Sequence, residues 1–168
     1  MSLPKPQDRL QPALLDRLTD DDPDANVESP ERAVMSRVRL RQAVLRDLSW
    51  LFNTTRLGDS VPLEGCPHVK RSVLNFGLPA LSGQTASGVD IVALEQQVRQ
   101  AIIDNEPRIL ASTLSVEALM NDNLMDRHNQ ISFRITGQLW SQPVPLELLL
   151  HTDIDLETGR VEVKELSR

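Results

Sequence analysis

Tyrosine is missing from this chain, and two Trp and three Phe are its whole aromatic stock. Sites that stack sugars or bases draw on such rings, so a glycan groove or a single-strand platform is disfavoured from the outset. Cysteine is almost absent as well. Cys66 stands alone, which excludes an internal disulfide and any multi-cysteine zinc site and fits a reducing compartment. No apolar run approaches the roughly 18 residues of a membrane span. The opening MSLPKPQDRL carries Pro and Asp where a signal peptide needs an apolar stretch. A cytoplasmic location without membrane insertion is therefore expected. Net positive charge is lacking too: 18 basic against 24 acidic groups give −6, which argues against a general binder of nucleic acid.

What is present is a chain of 168 residues, 40% hydrophobic and 25% charged, suited to one soluble domain with tails. Its charge is unevenly spread. Residues 1–31 carry three basic and eight acidic groups, whereas residues 32–56 carry six Arg against the single Asp47. Residues 1–29 read as a flexible acidic arm, with Pro4, Pro6, Pro12, Pro23 and the run TDDDPD, a composition that buries too little apolar surface to offset ordering entropy. Within the arm, residues 10–18 place Leu10, Leu14, Leu15 and Leu18 at helical spacing. Two readings stay open: a turn lying on its own domain, or a short docking peptide in which Leu14, Leu15 and Leu18 fill a partner's groove.

Residues 30–168 read as a single α+β domain. Ser29-Pro30-Glu31 is a helix start, with Ser as cap and Pro in the first turn. Val34, Val38, Arg41, Leu45, Leu48 and Phe52 then predict a buried stripe on a helix running to about Thr54. A second helix is expected from Ser87 or Asp90, burying Ile91, Leu94, Val98 and Ile102, and ended by Pro107. Beyond it the period becomes two. Strands are expected over Ile109–Leu119, Ile131–Leu139 and from Leu146 through Leu156, the last entering a tight turn at Glu157-Thr158-Gly159 and a closing strand over Arg160–Lys164. The fold class is α+β: two main helices, then a small, mostly antiparallel sheet ending in a β-hairpin.

Catalytic signatures do not emerge. Cys66-Pro67-His68 offers at most two of the four ligands of a closed zinc site, and no phosphate loop, nucleophile elbow or HExxH motif occurs. Glu64, Glu95, Glu106, Glu117 and Asp153 are candidate glycosidase carboxylates only in the sense that any acidic chain supplies such pairs. No catalytic residue, metal site or cofactor is expected. Glu106-Pro107-Arg108 stands apart, because proline stiffens the corner between helix and strand and sends out two opposite charges. Either they form a surface salt bridge, or they make a rigid partner-binding knuckle in which Arg108 grips a carboxylate.

Four segments occur in a telling order: RDLSWLFNT from Arg46, SVLNFGLPAL from Ser72, the helix ending Glu106-Pro107-Arg108-Ile109, and IDLETGRVEV from Ile154. With LLDRL at Leu14–Leu18, this series resembles the phage baseplate wedge family historically labelled lysozyme-like, and within it the TssE branch of type VI secretion systems. Phe52 and Ala80 depart from residues common in that family. The resemblance implies a structural subunit of a contractile machine, cytoplasmic and not an enzyme. It would join other wedge subunits and help initiate sheath polymerisation, with sheet edges accepting strands from sheath subunits. The old label keeps a muramidase as the alternative. The absent export signal and the scarce aromatics oppose it. A nucleic-acid adaptor using the Arg-rich helix is weaker still.

Overall fold

The computed structural model describes residues 12–19, 35–85, 88–119, 129–141 and 144–166. The expected start at Ser29-Pro30-Glu31, and Leu10 and Val34 with it, lies outside the described residues.

Residues Leu14–Leu18 form a short helix, α1. The first long helix, α2 (Arg37–Phe52), is opened by Ser36, whose hydroxyl accepts the Arg39 N–H at 3.1 Å and so satisfies one donor of the first turn. Met35 and Ser36 are not helical, so this helix begins later than the serine-proline signal suggests. Its buried face comprises Leu40, Ala43, Val44, Leu48, Leu51 and Phe52. The expected stripe holds at Leu48 and Phe52, which are buried, and at Leu45, which packs on the core, but not at Val38 and Arg41. Val38 is 66% exposed, and Arg41 sends its guanidinium to the Glu147 carbonyl at 2.8 Å instead. In the first half of the helix the core takes the apolar Leu40, Ala43 and Val44 in place of Val38 and Arg41.

Between the long helices lie α3 (Pro67–Lys70) and two single 3₁₀ turns. This loop is pinned back on the end of α2. Arg56 and Leu78 are joined by Arg56 N–H to Leu78 C=O at 2.9 Å, and Leu78 N–H reaches Thr54 C=O at 2.8 Å. Gly77 makes the approach feasible: its φ is +128°, and a Cβ there would sit 2.3 Å from the Thr54 carbonyl oxygen.

The second long helix, α4 (Ile91–Asn105), starts where Asp90 accepts the Ala93 N–H at 3.0 Å. It buries Leu94, Val98 and Ile102, and it stops before Pro107 as the sequence requires. The strands β1 (Ser115–Leu119), β2 (Gln130–Leu139), β3 (Leu146–Asp155) and β4 (Val161–Glu165) follow, antiparallel and in sequence order. The first is shorter than expected. Ile109 makes only an isolated bridge to Leu139, because Thr113 turns the chain by donating its hydroxyl to Leu110 C=O at 2.8 Å and accepting Gln138 N–H at 3.0 Å.

One sheet face carries Ile131, Phe133, Ile135, Leu139, Leu148, Leu150 and Ile154, all buried in one core with the apolar sides of α2 and α4. The hairpin between β3 and β4 is built by Asp155, whose carboxylate accepts Glu157 N–H at 2.8 Å and Thr158 N–H at 3.2 Å, while Gly159 supplies a φ of +72°. Those two backbone donors hold the Asp155 carboxyl below the usual carboxylate range. Among the described residues no helix is long and apolar enough to cross a membrane.

Candidate assembly surface

Proline at 107 forces the chain out of α4 at Glu106. The corner that results is tied down on both sides. Ile109 N–H reaches Glu106 C=O at 3.2 Å, and Trp140 N–H, at the end of β2, reaches Arg108 C=O at 2.8 Å.

The knuckle does not present both charges outward as the spacing suggests. Glu106 is 3% exposed, and its carboxylate folds back to accept the Arg108 backbone N–H at 3.1 Å and Nε at 2.7 Å; Arg108 Nη2 binds its second oxygen. The guanidinium fork is therefore already filled from within the chain. Its Nη2 also meets Asp47 of α2 at 2.5 Å, while Nη1 has no acceptor among the described residues. Burial works against the charge on Arg108, but hydrogen bonds and charge from Glu106, then Asp47, outweigh it and raise the pKa above the ordinary arginine value.

The network continues along α2. Asp47 accepts Arg46 Nε at 2.9 Å, Arg46 Nη1 donates to Asp16 of α1 at 2.7 Å, and the Arg46 guanidinium lies 5.1 Å from the Trp50 ring centroid. For Arg46 too, desolvation lowers the pKa and is overcome by Asp16 and Asp47. Asp16, Arg46, Asp47, Arg108 and Glu106 thus alternate in sign in one ladder from α1 to the corner. Sequence reading found its last two members. Asp47 had a signal that could have found it, as the one acid among six arginines.

Through Asp16 the short helix α1 is held on α2, and its apolar side chains are left outside. Leu14 is 72% exposed, Leu15 44% and Leu18 73%. These three leucines and the Glu106-Pro107-Arg108 corner are not one contiguous group in the sequence; the ladder is what links them in space.

The sheet edges differ. On β1 the outward Ala118 N–H is taken by Glu95 of α4 at 2.6 Å and the Leu114 carbonyl by Arg99 at 3.2 Å. On β4 the outward groups of Val161 are held by Asn53, but Val163 and Glu165 turn their N–H and C=O outward with no partner among the described residues. Strand β4 is the more open edge, although Val116 of β1 also turns its N–H and C=O outward with no partner among the described residues.

Three of the five candidate carboxylates are occupied structurally. Glu95 caps β1, Glu106 holds Arg108, and Asp153 accepts Ser132 Oγ at 2.6 Å and lies 3.1 Å from His151 Nε2. Ser132 therefore bonds to the acid and not to the imidazole, the reverse of a nucleophile–base pair. A depression of about 660 Å³ between α4 and the loop before it is lined by Gln96, Gln97, Gln100, the candidate Glu64, and Asp104, which pairs with Arg71 at 3.1 Å. Among the described residues no cluster of His, Cys, Asp and Glu could hold a metal ion.

Comparison with curated proteins and with solved structures gives no match. The family model of baseplate wedge protein gp25 matches residues 38–144, which takes in α2, the intervening loop, α4, the corner and the first two strands. On that match, supported by an architecture of helices followed by an antiparallel sheet, the chain belongs to the baseplate wedge protein gp25 family.

Proposed function

We propose that this chain is a structural subunit of the baseplate of a contractile secretion machine of the type VI class, where it joins other wedge subunits and helps initiate sheath polymerisation. It works without catalysis, in the cytoplasm. In this reading the corner Glu106-Pro107-Arg108 and the leucines Leu14, Leu15 and Leu18 meet wedge partners, and the sheet edge receives an extended segment of a sheath subunit.

The observation that carries the reading is the ladder from Asp16 to Glu106. A corner fixed by proline and by a buried carboxylate has lost its side-chain freedom before any partner arrives, so little ordering entropy remains to oppose association. Arg108 Nη1 is itself buried and has no acceptor among the described residues.

The test is co-purification of wedge and sheath subunits with the tagged chain from producing cells. Arg108→Lys keeps the charge but loses the planar fork, and it is expected to retain the fold and lose wedge subunits. Wild-type recovery of wedge subunits by Arg108→Lys, at an unchanged melting midpoint, would reduce the corner to an internal brace.

A further inference from the structure

One side chain at the β4 edge stands where a strand residue would stand. Asn53, the residue after α2, donates from Nδ2 to Val161 C=O at 2.8 Å and accepts Val161 N–H on Oδ1 at 3.0 Å. Two bonds exchanged with both backbone groups of one residue form the hydrogen-bonded pair of an antiparallel ladder; a parallel neighbour would share them between two residues. The amide is also fixed from behind, since Nδ2 donates to Ser49 C=O at 2.8 Å. At the far end of β4, Arg41 lies 3.1 Å from the Glu165 carboxylate and binds Glu147 C=O, which closes the edge beyond Glu165. The open interval therefore contains two outward-facing residues, Val163 and Glu165.

We propose that Asn53 is a register stop. It occupies the pairing position at Val161, so that an extended segment of a sheath subunit, entering antiparallel, pairs at Val163 and Glu165 and cannot slide past. This rests on the strand-accepting reading above and adds the residue that sets the alignment. Alignment matters because a shift along an edge changes which incoming side chains lie beside half-buried Val163 and which face solvent with Glu162 and Lys164.

A second copy of the chain is a poorer occupant. Antiparallel self-pairing that uses both open positions sets Lys164 opposite Lys164, like charges face to face. Self-pairing centred on Val163 sets Glu165 opposite Val161, the position Asn53 already holds.

The experiment uses the full chain in cells that produce the machine, with a fluorescently tagged sheath subunit and wedge co-purification as the check on incorporation. Asn53→Ala is expected to lose extended sheaths while keeping wedge subunits. Adding Val161→Pro should restore them, because proline at the first residue of a strand is tolerated, keeps an apolar side chain at this buried position, removes the outward N–H and blocks pairing there by itself. A role for Asn53 confined to capping α2 would not be rescued in this way. Val161→Pro alone should assemble sheaths as wild type does, and it decides the question even if Asn53→Ala fails to fold. Normal sheaths with Asn53→Ala, failed rescue in the double variant, or lost sheaths with Val161→Pro alone would each overturn the register stop. Val163→Pro separates this from the underlying reading: it removes an outward N–H in the open interval and should abolish sheaths. Sheaths that persist in Val163→Pro would overturn strand acceptance itself.

Discussion

Arg108 and Asp47 stand 61 residues apart in the chain and are joined at 2.5 Å, so the corner after α4 is fastened to the middle of α2. Glu106 grips the same guanidinium from the other side, and its own side chain is only 4% exposed. Removing the arginine would therefore strand a carboxylate in the interior.

Arg108→Ala is accordingly expected to lower stability by about 1–3 kcal/mol, the cost of a buried group left without its partner. Glu106→Gln together with Arg108→Ala should cost less than the sum of the two single changes, because the residues share one interaction. Denaturant titrations of the four proteins measure this coupling, and strict additivity would contradict the ladder.

Leu14→Asp with Leu18→Asp should leave the melting midpoint almost unmoved, within the roughly 0.5 kcal/mol typical of surface changes, since both side chains lie outside the core. Co-purification of wedge subunits should nevertheless fall. A large drop in midpoint would mean that the leucines pack on the domain, and undiminished co-purification would remove them from the partner surface.

Asp155 should titrate below an ordinary carboxylate, because Thr158 and Glu157 N–H groups bind its charged form. Its folded pKa is depressed, so the stability it gives the hairpin is present above the unfolded value of about 3.9 and is lost as pH falls through the folded one. Carbon-detected NMR of the side chain measures the midpoint. An ordinary or raised value would refute the turn geometry.

Gly77→Ala should destabilise by more than about 1 kcal/mol, through a side chain forced into positive φ and against the Thr54 carbonyl. Thermal melting reads the loss. Gly65→Ala, where a Cβ would meet nothing within 4 Å, is the matched control and should change little.

Much of this architecture is legible in the sequence, for local reasons. Pro107 and Asp90 bound α4, the alternation of Ile131, Phe133 and Ile135 marks β2, and Thr158-Gly159 marks the hairpin. These depend on neighbours only a few residues away. Other features depended on contacts made after folding. Val38 and Leu40 are both apolar, and only docking against the sheet selects the second. The run from Ile109 looked extended because nothing local reveals that Thr113 would bond Gln138 across the sheet. In the candidate site, the stiffness at Pro107 was readable, but the inward turn of Glu106 was not. That turn requires Asp47 and a buried corner, which sequence spacing does not encode. Asn53 falls inside the helix expected to run to about Thr54, because its bonds to Val161 are made far along the chain.

The partly covered edge of β1 bears on whether the sheet can be joined from both sides. Glu95 and Arg99 spend their side chains on the Ala118 N–H and the Leu114 carbonyl, which leaves Val116 between them as the outward residue of β1 with neither backbone group partnered among the described residues. A repeating unit needs two such sides, one to receive and one to offer. Here the two sides are unequal: β4 offers two adjacent outward residues and β1 one, set between two charged side chains, so an added strand meets more unpaired backbone at β4.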